Sequence, residues 1–134
     1  MPTPKLGQQA SIKRSFSEQD VNDFARLSGD FNPIHVDPEF AKTTIFGQRI
    51  VHGVLVSSLF SNLLAEKVPG KGSIYLGQTY KFQKPVFLNQ EVTSSVEVIN
   101  VREDKPIVTL KTICTNSEGE TVISGEAVLM FNPD

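Results

Sequence analysis

The spacing of apolar and polar residues divides the chain into a helical first half and a β-rich second half. Residues 9–16 read as a first strand. Ser17 then stands as an N-cap with Asp20 three residues on, and Val21, Phe24 and Ala25 form an i, i+3, i+4 apolar face. Gly29 ends that helix as a C′ glycine would. A loop, Asp30-Phe31-Asn32-Pro33-Ile34-His35, follows. Asp37-Pro38 can cap a short helical turn through Phe40 and Ala41, with proline at the first helical position.

The next helix is of a different kind. Of the 12 residues 54–65, eight are apolar, and they surround the helix axis instead of keeping to one side. Such a pattern predicts a helix buried in the domain centre. Its polar residues are small: Ser57, Ser58, Ser61 and Asn62. Gly53, Ser57 and Ser61 recur every fourth residue, a stripe that drifts slowly round one face. Pro69-Gly70 stops the helix. After it, residues 73–83, 91–101, 107–115 and 121–131 are rich in Val, Ile, Thr and Phe, and turn signals separate them at 85–90, 102–106 and 116–119. Short connections imply antiparallel pairing. Five strands and one buried helix suggest a curved sheet wrapped around that helix, an α+β fold.

Composition narrows the function classes. A chain of 134 residues, 39% hydrophobic and 21% charged, is one domain spanning 1–134 with no linker or repeat to divide it. Thirteen Lys and Arg against 15 Asp and Glu leave a net charge of −2, and the cations are scattered, which speaks against nucleic acid as a partner. The single cysteine, Cys114, lies in a strand pattern and excludes an intramolecular disulfide; a buried inert thiol is expected there. No run approaches the roughly 18 apolar residues of a membrane span, so no membrane is expected. Lys5, Lys13 and Arg14 precede the first acid, Glu18, but Ile12 and Phe16 assign that segment to the fold, and the expected location is the cytoplasm.

Only two histidines exist, His35 and His52, and Asp30 lies near both. An aspartate and a histidine five residues apart in a loop can face one pocket and polarise a water, one group accepting a proton while the other supplies one. The same residues also fit a purely local reading, in which Asp30 and Asn32 make Asx turns, Pro33 stiffens the loop and His35 is a satisfied half-buried ring. Residue types alone leave both open.

The order of residues goes further. Phe24-Ala25-Arg26-Leu27-Ser28-Gly29-Asp30-Phe31-Asn32-Pro33-Ile34-His35, with Ala41 downstream, closely resembles the hydratase 2 motif of the MaoC-like (R)-specific enoyl-CoA hydratases. Ile50-Val51-His52-Gly53, the segment 69–78, Arg102 to Pro106 and Gly125 to Val128 extend the resemblance over nearly the whole chain, closest to the hydratases that supply polyhydroxyalkanoate monomers. The resemblance implies a hot dog fold and a homodimer whose sheets join edge to edge. It implies (R)-specific hydration of a trans-2-enoyl-CoA thioester, with Asp30 and His35 holding the water and Asn32 bracing their loop. Gly53 would offer its N–H to the thioester oxygen, Ser61 would stand near the thioester, and Leu64 would narrow the acyl tunnel. For His52, a structural hydrogen bond before the helix is favoured over substrate contact. Ser57 is expected to pack, and so, more than Leu64, are Leu63 and Leu129. No metal is expected and no cofactor, since coenzyme A arrives as part of the substrate; Lys42, Arg49, Lys71, Lys81 and Lys84 are candidates for its phosphates. Two other readings stay in view: a dehydratase acting on acyl carrier protein, and a non-catalytic acyl-CoA-binding module.

Overall fold

The computed structural model describes residues 2–132. Its elements run β1 (Gln9–Arg14), α1 (Glu18–Ser28), α2 (Pro33–Val36), α3 (Pro38–Lys42), α4 (Gly53–Glu66), β2 (Ile74–Gln78), β3 (Lys81–Phe82), β4 (Val92–Val101), β5 (Ile107–Asn116) and β6 (Thr121–Met130). The predicted capping box forms: the Ser17 hydroxyl accepts from Asp20 N–H, and the Asp20 carboxylate accepts from Ser17 N–H. Gly29 closes α1 in the left-handed region at φ 80°, its N–H donating to the Ala25 carbonyl.

All strand pairs are antiparallel, in the order β1-β4-β5-β6-β2, with β3 also on β6. Six strands replace the five expected, because residues 73–83 do not form one strand. The chain bulges between Tyr75 and Gly77 and leaves the ladder at Thr79 and Tyr80. There the Thr79 carbonyl presses against β6 so closely that a Cβ on Gly125 would lie 1.8 Å from its oxygen. Only glycine admits that approach.

Helix α4 lies across the concave face of this sheet. Val56, Leu59, Phe60, Leu63 and Leu64 are buried with Val96, Val98, Leu110, Ile123 and Leu129 in one core cluster. Full burial of each large side chain contributes about 1.5–3 kcal/mol. The helix is not buried all round, however. Val54, Ser58, Ser61, Asn62 and Ala65 are exposed, so the small-residue stripe splits, Ser57 going to the core and Ser61 to the open side. Cys114 is buried in β5, and burial pushes its thiol pKa up, consistent with an inert residue.

Candidate active site

The loop between α1 and α2 is built from its own short polar side chains. Asp30 N–H donates to Ser28 Oγ (3.1 Å), Asn32 N–H to Asp30 Oδ1 (3.1 Å), and Ile34 N–H to Asn32 Oδ1 (3.3 Å). His35 N–H closes the turn on the Asn32 carbonyl at 2.9 Å. The Asx turns anticipated from residue type are therefore real, and Asn32 is the N-cap of α2. They leave a carboxylate oxygen of Asp30 and a ring nitrogen of His35 within 4.8 Å of each other.

A second segment, Arg49 to His52, clasps this loop. Arg49 Nε donates to the His35 carbonyl at 2.6 Å. Ile50 N–H donates to the Ile34 carbonyl at 3.2 Å. In return, His35 Nδ1 lies 2.9 Å from the Ile50 carbonyl, and His52 Nε2 lies 3.0 Å from the Asp30 carbonyl. A carbonyl only accepts, so each of these ring nitrogens carries the proton. For neutral His35 that leaves Nε2 as a bare acceptor. The two rings stack at 4.0 Å between centroids with planes 26° apart, and Phe24 meets the His52 ring edge-on at 4.8 Å.

Asp30, His35 and His52 each offer one ligand atom within 4.8 Å of the others. Two imidazoles and one carboxylate supply three ligands, one short of a closed tetrahedral site. The arrangement suits proton transfer better. Burial pushes the His52 pKa below its ordinary 6.5, and the charges of His35 and Arg49 add to that against the opposing pull of the Asp30 carbonyl and carboxylate.

Beside the pair, His35 and Gly53 line an apolar cavity of about 410 Å³ with Ile50, Val56, Phe82 and Ile123. Helix α4 begins at Gly53 with no side-chain cap on its N-cap His52. Among the described residues the Gly53, Val54 and Leu55 N–H groups make no hydrogen bond, so the positive end of the helix dipole stays open. The Phe82 ring lies directly over Gly53, where a Cβ would meet its Cε1 at 2.7 Å.

The structure thus gathers Asp30, Asn32, His35 and Gly53 at one place. It does not bring Ser61 or Leu64 to this cavity: Ser61 is exposed two turns along α4, and Leu64 is 1% exposed in the core. Arg49 requires a correction. It is 8% exposed, with its guanidinium committed to His35, Asn22 and Glu18, so it is unavailable to coenzyme A phosphates. Of the other cations, Lys84 lines the cavity, paired with Glu120 at 3.3 Å, while Lys42 and Lys71 pair with Glu39 and Glu66 elsewhere. The clasp by Arg49 and the cover by Phe82 were not foreseen. The only signal for the first is an arginine within three residues of His52 in a segment otherwise apolar.

The chain is similar to known proteins along most of its length. The sequence model of the MaoC like domain matches residues 2–118. The (R)-specific enoyl-CoA hydratase of Aeromonas caviae is 53% identical over 125 residues, 93% of each chain. A mitochondrial 3-hydroxyacyl-[acyl-carrier-protein] dehydratase of Arabidopsis thaliana is 39% identical over 130 residues, 95% of this chain and 77% of that one. The solved (R)-hydratase from A. caviae involved in PHA biosynthesis superposes with a TM-score of 0.95 at 51% identity, covering 97% of this chain and 98% of that one. The antiparallel sheet around α4 is accordingly a hot dog fold, and the chain belongs to the MaoC-like family, alongside the (R)-specific enoyl-CoA hydratases.

Proposed function

We propose that this chain hydrates trans-2-enoyl-CoA reversibly to (R)-3-hydroxyacyl-CoA. The observation that carries the reading is the 2.9 Å contact of His35 Nδ1 with the Ile50 carbonyl. With Nδ1–H held by the Ile50 carbonyl, Nε2 is a base aimed beside the Asp30 carboxylate, next to the unbonded N–H groups of α4. A water held by Asp30 and His35 gives one proton to Nε2 as its oxygen bonds to C3. The double-bond electrons pass to C2 and the thioester oxygen, to which the Gly53 N–H donates a hydrogen bond; donors so placed contribute about 3 kcal/mol. The enolate then takes the proton from His35 at C2. Water's H and OH both end on the substrate, and the protein returns to its starting state. A backbone-held enolate needs no Lewis acid.

We further infer a homodimer. Strand β2 is a sheet edge carrying Ile74 and Leu76, 54% and 49% exposed, and such an edge is satisfied by pairing with a second copy. The open stripe of α4, Ser61 included, would gain a partner the same way.

The test is loss of the enoyl-thioester absorbance when crotonyl-CoA meets the pure protein, followed by chiral chromatography. Turnover to the (R) alcohol is expected; an (S) product or no turnover overturns the reading, the latter in favour of a binding module. The likeness to the plant dehydratase supports acyl carrier protein as an alternative carrier. A higher kcat/KM on the carrier-protein thioester than on the CoA thioester of the same acyl chain would establish it.

A further inference from the structure

We propose that His52 is a positioning residue that sets the distance between the proton-transferring pair and the helix N-terminus, and that it acts as a neutral Nε2–H imidazole. The inference rests on the hydratase reading and deepens it. The ring is 2% exposed, yet one of its two nitrogens, Nδ1, has no hydrogen-bond partner. A buried polar atom left unpaired costs free energy, so a ring kept for packing alone is better served by phenylalanine or leucine.

What the imidazole does instead is touch three parts of the site at once. Its Nε2–H holds the Asp30 carbonyl at 3.0 Å, its face supports the His35 ring at 4.0 Å, and its own peptide bond leads into Gly53. Asp30, His35 and the first free N–H of α4 therefore share a single residue as their common reference. Phe24 from α1 closes the remaining edge and prevents the ring from turning.

Its neutrality follows from the same contacts. The charged and titratable groups facing it are Asp30, His35 and Arg49; burial, His35 and Arg49 disfavour a second proton, while Asp30 favours one. A cation stacked on His35 would oppose proton uptake there during turnover. A proton on Nδ1 would find no acceptor there.

Two variants and one spectroscopic measurement test this. In His52→Phe the ring and its stacking remain while the N–H is lost; kcat on crotonyl-CoA should fall about a hundredfold, the size of a small misplacement at a reacting centre, with KM changed less than threefold. In His52→Gln the side-chain amide can reach the same carbonyl, and at least a tenfold part of the loss should return. Nitrogen-15 spectra of histidine-labelled wild type at neutral pH should show His52 with Nε2 protonated and Nδ1 bare. A Phe variant with more than a third of wild-type kcat, a Gln variant no better than Phe, or a loss expressed mainly in KM overturns the proposal. If the Phe variant does not fold, the tautomer decides: Nδ1–H or imidazolium at neutral pH overturns it. A wild type inert toward crotonyl-CoA is a different result, the failure of the hydratase reading itself.

Discussion

Replacing Arg49 by methionine distinguishes two roles for the cation beside the site. The guanidinium, 8% exposed, donates to the His35 carbonyl at 2.6 Å, to Asn22 Oδ1 at 2.8 Å and to Glu18 Oε1 at 3.1 Å. Glu18 is 70% exposed on its side chain, so that ion pair is worth only ~0–1 kcal/mol. The other two are bonds from a charged donor, about 1.5–3 kcal/mol each. Methionine matches the stem and relieves the cost of holding a charge out of water, an offset of roughly 1–3 kcal/mol for a group that still keeps an edge in solvent. The balance is a loss of about 2–4 kcal/mol. At about 3–4 °C per kcal/mol for a chain of this length, Tm should fall by roughly 6–15 °C in a thermal melt. Turnover of crotonyl-CoA should drop about tenfold or more, because the His35 carbonyl loses its anchor, with KM within twofold. A phosphate contact would behave oppositely. An unchanged Tm with KM raised tenfold, more steeply as salt increases, would refute the structural role and restore Arg49 to coenzyme A.

Asp30→Asn and His35→Gln should each lower kcat at least a hundredfold with the fold retained by circular dichroism, in line with acid–base effects of ~10²–10⁴. Gly53→Ala places a methyl group against Phe82, which can swing outward; Tm should change little while kcat falls, and an unaltered kcat would remove Gly53 from the oxyanion role. Leu64→Ala should cost about 2–5 kcal/mol by thermal or denaturant melt as a core truncation. If Leu64 also bounds the acyl chain, kcat/KM on eight-carbon substrate relative to crotonyl-CoA should rise about tenfold, and an unchanged ratio leaves it as packing. The lowered pKa of His52 predicts an acid-sensitive fold: the unfolded ring binds a proton near pH 6.5 that the folded one refuses, so stability is full above that pH and declines as pH falls below it. His52→Gln should flatten this decline in denaturant melts, and an equally steep one would assign it elsewhere.

Much of the fold was legible because local and global preferences coincide. Ser17, Asp20 and Gly29 bound α1 by backbone chemistry that any context would respect. The apolar run of α4 marked a helix that packs on the core, though on one side only. The order of turns in the second half forced antiparallel neighbours. What was hidden depends on distant partners. Nothing near Thr79 announces that its carbonyl must press on Gly125, 46 positions away, and so break a strand. An open side on α4 is equally invisible, since serine and alanine suit a packed groove and an exposed stripe alike. Within the site, Asp30 and His35 were identifiable by their order, and Asn32 by its turn chemistry. Arg49 was misread because a cation's charge is evident in a sequence while its burial is set by Glu18 and Asn22, a helix away.

The uncapped start of α4 has a bearing on any effort to make this protein hardier. Rules for strengthening helices would choose position 52 first, replacing histidine by aspartate or serine for a gain of about 1 kcal/mol. The introduced oxygen would occupy the Val54 or Leu55 N–H and, if charged, cancel the positive end that the thioester oxygen would otherwise meet. The same change would remove a ring that is 2% exposed, stacked on His35 and bonded to the Asp30 carbonyl, so position 52 offers neither stability nor activity to such a design. A useful campaign would leave residues 49–53 untouched and look for its gains at α1, α3 and the β-turns.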